Sequence, residues 1–169
     1  MHLIFKSILL FIALVIFIPS QHFYAQEYDS SLGFRIGLSS GLTGKIFFHR
    51  HGAFKTMSAM EGIVSIRYKG FMCTALYENH VGVFKTKGFY LYYGGGAHIG
   101  LWDSDQVLWE SELTGRNVYT GIDGIIGLEY VIRDIPLSVG LDWKPSFNLY
   151  RETNVNIDDI ALSVRYLFD

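Results

Sequence analysis

One imidazole and two carboxylates in the middle of the chain have the side-chain types needed for acid–base chemistry. They are His98, Asp123 and Glu129, and they fall in segments where polar and apolar residues alternate. A histidine beside a carboxylate can transfer a proton near neutral pH, as general acid–base catalysis requires. The same residues can instead form ion pairs and hydrogen bonds inside a polar interior. We favour the ion-paired interpretation and assign no catalytic residue.

A second candidate site is the pair His49 and His51, which flank Arg50. Two imidazoles at this spacing suggest transition-metal ligands. The sequence offers no third ligand within reach of the pair. We therefore predict no metal site, and no other stretch of the sequence suggests a cofactor.

Two further stretches have the character of strands. Glu78 and His80 share one strand face with Thr74, so we expect all three in the interior. Residues 94–96 are all Gly, but no Lys-Ser or Lys-Thr pair follows them, which excludes a phosphate-binding loop. We expect these glycines to allow sharp curvature or a close approach of neighbouring strands.

The N-terminus has the pattern of a cleaved signal peptide. Lys6 precedes the apolar run 8–18, and a short polar stretch then ends at Ala25. The run is shorter than the roughly 20 residues that a membrane-spanning helix needs. We predict a signal peptide at 1–25, with the exact cleavage position left open, and a mature domain at 26–169.

The composition favours one sheet-rich domain and excludes some functions. The chain has 169 residues, a formal net charge of −2 and 18% charged residues. Without a basic excess, it lacks the electrostatic footprint of a nucleic-acid-binding protein. Its 13 Phe, 11 Tyr and 18 Gly suit strands, turns and crowded barrel walls. Cys73 is the only cysteine, so no intramolecular disulfide can form, and we interpret it as a small apolar packing residue.

Apolar and polar residues alternate in many segments of the mature chain. Residues 137–144 read Leu-Ser-Val-Gly-Leu-Asp-Trp-Lys, and residues 160–166 read Ile-Ala-Leu-Ser-Val-Arg-Tyr. Successive side chains of a strand point to opposite faces, so each segment has one apolar face and one polar face. The sequence therefore predicts an all-β fold.

The make-up of the two faces distinguishes a membrane barrel from a soluble one. Charges on the polar face are interleaved with Gly and Ser, which suits an enclosed interior where opposite charges pair. The other face is aromatic and aliphatic throughout, which suits lipid, whereas a soluble lipocalin-like barrel would place its charges outside. The predicted interior polar network comprises Arg35, Lys45, Arg67, His98, Asp123, Glu129, Asp142, Lys144 and Arg165.

Because only helices and closed barrels satisfy the backbone in lipid, the alternation predicts an eight-stranded antiparallel up-and-down transmembrane β-barrel. The first hairpin stays open, since 31–49 could form one strand or two. An even strand number favours a split at Ser40-Gly41. The predicted strands are 31–39, 41–49, 60–69, 71–80, 89–102, 117–132, 136–149 and 159–168.

Three stretches resemble the small outer-membrane β-barrel proteins of Gram-negative bacteria, namely the OmpA-like and outer membrane protein β-barrel domain families, and especially their Bacteroidetes versions. Residues 92–102 resemble the family's glycine-rich central strand, and 121–130, followed by 135–137 and 141–145, resemble its hairpin. Residues 161–168 resemble the closing strand, although Asp169 follows where that strand usually ends on an aromatic residue. The resemblance covers most of the mature chain.

The resemblance implies an outer-membrane location and a structural or interaction role, in envelope integrity, in adhesion or as an accessory to an envelope machine. It implies contact with outer-membrane lipid and with the barrel-assembly machinery through 160–168. The loops 103–116 and 150–158 would face outward and meet envelope or surface proteins, with 50–59 and 133–135 on the periplasmic side. An eight-stranded interior is just wide enough for side chains, so we predict a plugged interior without a channel. A lipid-modifying barrel enzyme and a small pore are the alternatives.

Overall fold

A single antiparallel sheet contains every strand of the protein that the structure describes. The computed structural model describes residues 28–51, 56–67, 70–83, 88–103, 116–149 and 155–169. The predicted signal peptide lies outside these ranges. No helix in them is long and apolar enough to cross a membrane. The strands are β1 (Ser30–Gly37), β2 (Ser40–His51), β3 (Thr56–Arg67), β4 (Gly70–Gly82), β5 (Phe89–Asp103), β6 (Arg116–Val131), β7 (Leu137–Trp143), β8 (Ser146–Asn148), β9 (Val155–Asn156) and β10 (Ile160–Phe168).

The sheet closes on itself, because β10 pairs with both β1 and β7. Each of β1 to β6 also pairs with the next strand along the chain. Strands β7 and β8 lie on β6 in one register, and the Gly124 N–H donates to the Pro145 carbonyl between them at 2.9 Å. They form one barrel strand, interrupted where proline has no N–H to donate. The prediction of an eight-stranded antiparallel barrel is confirmed.

The last barrel strand consists of β9 and β10 and contains a bulge. Phe147 pairs with Val155, whereas the Lys144 N–H donates to the Asp159 carbonyl at 2.8 Å. The register therefore shifts by one residue within 157–159, as in a β-bulge. Asp159, the first residue of the predicted strand 159–168, is buried inside the barrel. The predicted loop 150–158 is too long, because β9 lies within it at Val155–Asn156.

The first hairpin consists of two strands, as the even strand number favoured, but its turn lies earlier than predicted. Leu38 and Ser39 form the turn, and Ser40 already belongs to β2. The Ser40 hydroxyl donates to the Gly37 carbonyl at 2.8 Å and accepts from the Gly37 N–H at 3.1 Å. These two bonds close the turn at Leu38 and Ser39. The predicted split at Ser40-Gly41 was therefore placed too late in the sequence.

The connection predicted at 50–59 is shorter than expected. Strand β2 continues to His51 and β3 begins at Thr56, so only residues 52–55 join them. A register shift between Phe48 and Arg50 accommodates the longer strands. The first and last described residues and the β6–β7 turn lie at one end of the barrel, here called the terminal end. The Leu38–Ser39 turn lies at the opposite end, here called the far end.

Burial alternates along the strands and separates the two faces of the wall. All nine residues of β10 alternate between exposed and buried, and the exposed ones are apolar. The outward face therefore carries side chains that prefer hydrocarbon, while the inward face carries the polar ones. Outward residues include Leu32, Phe34, Ile36, Leu42, Ile46, Val64, Ile66, Ile99, Leu101, Ile122, Ile126, Leu128, Leu141, Leu162 and Val164.

Inward glycines make room for neighbouring groups. A Cβ at Gly94 would lie 2.0 Å from the Tyr77 carbonyl oxygen, which shows the close strand approach expected for the glycine run. A Cβ at Gly127 would lie 2.5 Å from Cζ of Tyr92, the residue opposite it on β5. The buried Tyr92 ring thus occupies the space that a larger residue at 127 would fill.

We expect Gly127→Val to displace the Tyr92 ring and to lower the free energy of unfolding by about 1–3 kcal/mol, as overpacking usually does. Urea unfolding in detergent micelles, followed by tryptophan fluorescence, measures the change. Gly62→Ala is the matched control, since a Cβ at Gly62 meets nothing within 4 Å. Equal unfolding midpoints for Gly127→Val and Gly62→Ala would contradict the packing argument.

Candidate functional site: the charged barrel interior

Strand alternation directs a large set of ionisable side chains into the barrel. The nine residues predicted for the interior network are all at most 7% exposed. Glu61, Glu78 and His80 are buried with them. Asp159 is a further buried carboxylate that the sequence analysis missed. The ion pairs sort these residues into two clusters along the barrel axis, with one separate pair at the far end.

The terminal-side cluster consists of Lys45, Glu61, Glu78, His80, Glu129 and Arg165. The Arg165 guanidinium lies 2.8 Å from Oε1 of Glu61 and 3.4 Å from Oε1 of Glu129. Lys45 Nζ lies 2.7 Å from Oε2 of Glu78 and 3.6 Å from Oε2 of Glu61. Two cations therefore bind three carboxylates from three other strands, with Glu61 shared between them.

Hydroxyl groups complete this cluster. Thr43 donates to Oε1 of Glu61 and accepts from Nε of Arg165 at 3.3 Å. Ser138 donates to Oε1 of Glu129 at 2.7 Å. Hydrogen bonds to a carboxylate stabilise its charged form when it is removed from water.

The far-side cluster consists of Arg35, His98, Asp123, Asp142, Lys144 and Asp159. The Arg35 guanidinium lies 2.6 Å from Asp142 and 3.2 Å from Asp159. Lys144 Nζ lies 3.1 Å from Asp123 and 3.3 Å from the same Asp159. Asp159 therefore joins the two cations, which makes it a central residue of the cluster.

Tyr92 connects the two clusters. Its phenol donates to Oδ2 of Asp142 in the far-side cluster at 3.2 Å. Its ring stacks on His80 with centroids 5.1 Å apart, and Lys45 Nζ lies 3.9 Å from the ring centroid. A cation over an aromatic face is electrostatically favourable, so one side chain stabilises groups of both clusters. The sequence analysis missed this role, although the inward parity of residue 92 on β5 was a usable signal.

Apolar side chains close the lumen at the terminal end. Tyr28 contacts Phe47 edge-to-face with centroids 4.8 Å apart, and Ala59 and Leu167 complete this buried group. Toward the far end, Met72 packs against Tyr119. Side chains from both ends thus enclose the ionic clusters.

Arg67 lies apart from both clusters at the far end. Its guanidinium bonds to the Asp158 carboxylate at 2.7 Å, and the Asp158 side chain is 54% exposed. Because one partner faces solvent, we expect this pair to contribute less to stability than the enclosed pairs.

The three residues with acid–base potential do not form one site. Asp123 lies 2.7 Å from Nδ1 of His98, and the Asn148 side-chain oxygen lies 2.9 Å from Nε2. Glu129 instead belongs to the terminal-side cluster, where Arg165 and Ser138 bind it. The arrangement holds charges in place and occupies both nitrogens of His98.

The described side chains do not form a metal site. No group of three or more His, Cys, Asp and Glu residues in the described ranges is placed to hold a metal ion. His49 and His51 are in β2, but their side chains lie outside the description.

A similar fold is found among solved structures. The N-terminal β-barrel domain of Pseudomonas aeruginosa OprF superposes with a TM-score of 0.54 at 15% sequence identity. The match covers 85% of this chain and 100% of that domain. No family model matches the sequence, and no curated protein is significantly similar to it. The likeness shows a shared barrel fold.

We expect Arg165→Met to lower the free energy of unfolding by about 3–5 kcal/mol, because it leaves two enclosed carboxylates short of a cation. The loss appears as a lower urea midpoint in micelles and as a lower temperature at which the folded form disappears on gels. Arg133→Met is the control, since Arg133 is exposed in the β6–β7 turn. An Arg165→Met barrel as stable as the Arg133→Met barrel would show that the cluster is unimportant for stability.

Proposed function

We propose that this chain is an integral outer-membrane barrel protein with a structural or interaction role in the envelope. Its outward face contacts lipid, and its ionic clusters form a plug that stabilises the barrel. The observation that carries the proposal is the apolar belt, by which we mean the outward apolar side chains that surround the barrel wall. The strands also enclose almost all of their described charges.

The size of the apolar belt favours lipid over water as its surroundings. Soluble monomers rarely expose contiguous apolar patches of more than a few hundred Å². Here the outward positions of strand after strand are apolar, and Phe34, Ile36 and Ile66 are each at least 60% exposed. Ring closure also pairs the backbone of all eight barrel strands, which a hydrocarbon environment demands.

The strand lengths match a bilayer. Strands β2 and β3 have 12 residues each. At about 3.3 Å per residue and a tilt of about 40°, such a strand covers roughly 30 Å along the barrel axis. Barrels of the outer membrane have an apolar band about 25 Å tall, so the wall is high enough to cross.

Outward aromatic residues near the terminal end suit a membrane–water interface. Phe89 and Tyr130 have ring centroids 4.4 Å apart, and Tyr166 and Phe168 have centroids 4.9 Å apart. The Tyr77 hydroxyl donates to the outward Ser58 hydroxyl at 3.1 Å. Aromatic rings with polar partners are favoured at headgroup level. We assign this end to the periplasmic side because the short β6–β7 turn lies there, and outer-membrane barrels have short turns on the periplasmic side.

The paired state of the interior supports a plug rather than a pore or an enzyme. The clusters and the apolar residues at the terminal end occupy the lumen, and an eight-stranded barrel has little further room. His98 is hydrogen-bonded at both nitrogens, which leaves it no free position for proton transfer to a substrate. We therefore propose no catalytic activity.

With the terminal end on the periplasmic side, the orientation of the barrel also suggests which proteins it would contact. Strand β10, within residues 160–168, ends on outward Phe168 and would present the closing-strand signal to the barrel-assembly machinery. The connections within the predicted loops 103–116 and 150–158, between β5 and β6 and between β8 and β9, would meet envelope or surface proteins outside the cell. The Bacteroidetes-like motifs 92–102 and 161–168 suggest a source among those bacteria.

We expect the full chain, expressed in a Gram-negative host, to fractionate with outer membranes and to migrate differently on gels before and after boiling. A closed barrel resists unfolding by detergent at room temperature, so the unboiled band should run faster. The control is the same chain lacking residues 1–25, which should stay in the cytoplasm. Recovery of the purified mature chain in solution, folded without detergent, would contradict the membrane assignment.

We expect planar bilayers containing the purified protein to show conductance near background, because the lumen is filled. A parallel comparison of lipid A mass in cells with and without the protein tests the enzyme alternative. Defined single-channel steps would favour a pore, and a changed lipid A mass would favour an enzyme.

A further inference from the structure

Three inward hydroxyl groups in the far half of the lumen have no hydrogen-bond partner among the described residues. They belong to Ser39 in the first turn, Ser65 on β3 and Thr74 on β4, here called the hydroxyl row, and each residue is at most 4% exposed. Nε of Arg35, a residue that is 1% exposed, also has no partner in the described part of the chain. A buried polar group without a partner destabilises the fold, so these four atoms call for a bound molecule.

Hydroxyl groups of the ionic interior differ from the hydroxyl row, because they bond to carboxylates. Ser138 donates to Oε1 of Glu129 at 2.7 Å, and Ser163 donates to Oδ2 of Asp142 at 3.4 Å. Inward hydroxyls of this barrel thus bond to protein groups where an acceptor is within reach. The hydroxyl row lies where the neighbouring side chains offer none.

The strand neighbours of the row explain the lack of protein partners. Ser65 pairs with Met72, and Thr74 pairs with Ile63, so the neighbours across the β3–β4 pairing are apolar. On its other side Thr74 pairs with His98, whose two ring nitrogens are already hydrogen-bonded elsewhere. The six residues of the far-side cluster include none from β3 or β4. On these two strands, the short hydroxyl side chains do not reach the cluster.

The strand register brings the four atoms to neighbouring inward positions. Arg35 pairs with Gly41 on β2, and Gly41 pairs with Ser65 on β3, so no side chain stands between Arg35 and Ser65. Nη1 of Arg35 donates to the Ser39 carbonyl at 3.0 Å, which holds the guanidinium beside the turn. Thr74 lies diagonally next to Ser65 across the β3–β4 pairing, a spacing that one small molecule can bridge.

The chemistry of these atoms identifies the class of the bound molecule. Nε–H of Arg35 can only donate a hydrogen bond, so it cannot coordinate a cation. Asp142 and Asp159 lie 2.6 and 3.2 Å from the same guanidinium, and their charges would repel a bound anion. The partner is therefore neutral, accepts and donates hydrogen bonds, and fits between the side chains of a narrow lumen. Water has all of these properties.

We propose that the hydroxyl row and Nε of Arg35 form an internal hydration site, in which ordered water connects the far-side cluster to β3 and β4. A buried water commonly makes about three hydrogen bonds to groups that are otherwise unsatisfied. Water that accepts from Arg35 and bonds to Ser39 and Ser65 reaches this number, and Thr74 extends the site along β4. The plug of the lumen then consists of ion pairs and bound water. The site depends on the barrel fold alone, whatever role the barrel has in the envelope.

Nuclear Overhauser transfer from water to the Nε–H proton of Arg35 tests the proposal on the unsubstituted chain. In the full chain folded in micelles and labelled with ¹⁵N-arginine, this proton should give a cross-peak at the water frequency. Nε–H of Arg165 is the matched control and should give none, since it donates to the Thr43 hydroxyl at 3.3 Å. A spectrum without the Arg35 cross-peak, or with equal cross-peaks for Arg35 and Arg165, would overturn the proposal.

Thr74→Val and Ser65→Ala test the same site through stability. If the hydroxyls bind water, removing either one should raise the unfolding equilibrium constant about 2–10-fold, the loss expected for an ordinary hydrogen bond. If they had no partner, their removal would lower the constant, because an unsatisfied buried group would be gone. Ser163→Ala removes a direct bond to Asp142 and shows the size of such a loss in this barrel.

Urea titrations in micelles measure these constants for the full chain and its variants. Constants at or below the wild-type value in both Thr74→Val and Ser65→Ala would reject the hydration site. The spectrum of the unsubstituted chain decides the question if a variant fails to fold, since it requires no substitution.

Discussion

Closing eight strands into a narrow ring removes the inward side chains from bulk water, so each charge there has to find its partner on another strand. Arg165 on β10 reaches Glu61 on β3, two strands beyond its nearest pairing partner. Arg35 on β1 reaches Asp142 on β7 across the intervening β10. Such pairs tie distant parts of the wall together, and they require the wall to be closed before they can form.

The lumen accommodates these large groups because glycines lie opposite them. Tyr92 pairs across the sheet with Gly127, and Arg165 pairs with Gly33. In each case the bulky side chain extends over a neighbour that has no side chain of its own. Small barrels commonly alternate large and small inward residues to fill their taper. Further inward pairs of this kind are Arg35 with Gly41, Glu78 with Gly94, His98 with Gly121 and Glu129 with Gly140.

Alternation was sufficient to predict the strands and their inward residues, because a barrel strand has only two faces. It could not locate the first turn. Phe34 pairs with Leu42, an even number of positions away, so the apolar residues lie at even positions in both strands and the pattern shows no break between them. Asp159 has the inward parity of Ala161, Ser163 and Arg165, so the alternation of the predicted strand 159–168 was a signal that the sequence analysis did not use. The partners of each charge also escaped prediction, since spacing along a strand says nothing about which groups meet across the lumen.

The apolar group at the terminal end joins the two extremes of the described chain. Tyr28 lies just before the first strand, and Leu167 is the penultimate residue of the last strand, yet both pack beside Phe47. The backbone makes the same connection, since the Asp29 N–H donates to the Phe168 carbonyl at 2.9 Å. The apolar group at the terminal end therefore combines residues from the beginning and the end of the described chain. A chain without its last strand lacks both Leu167 and the Phe168 carbonyl, so it cannot complete this end of the barrel.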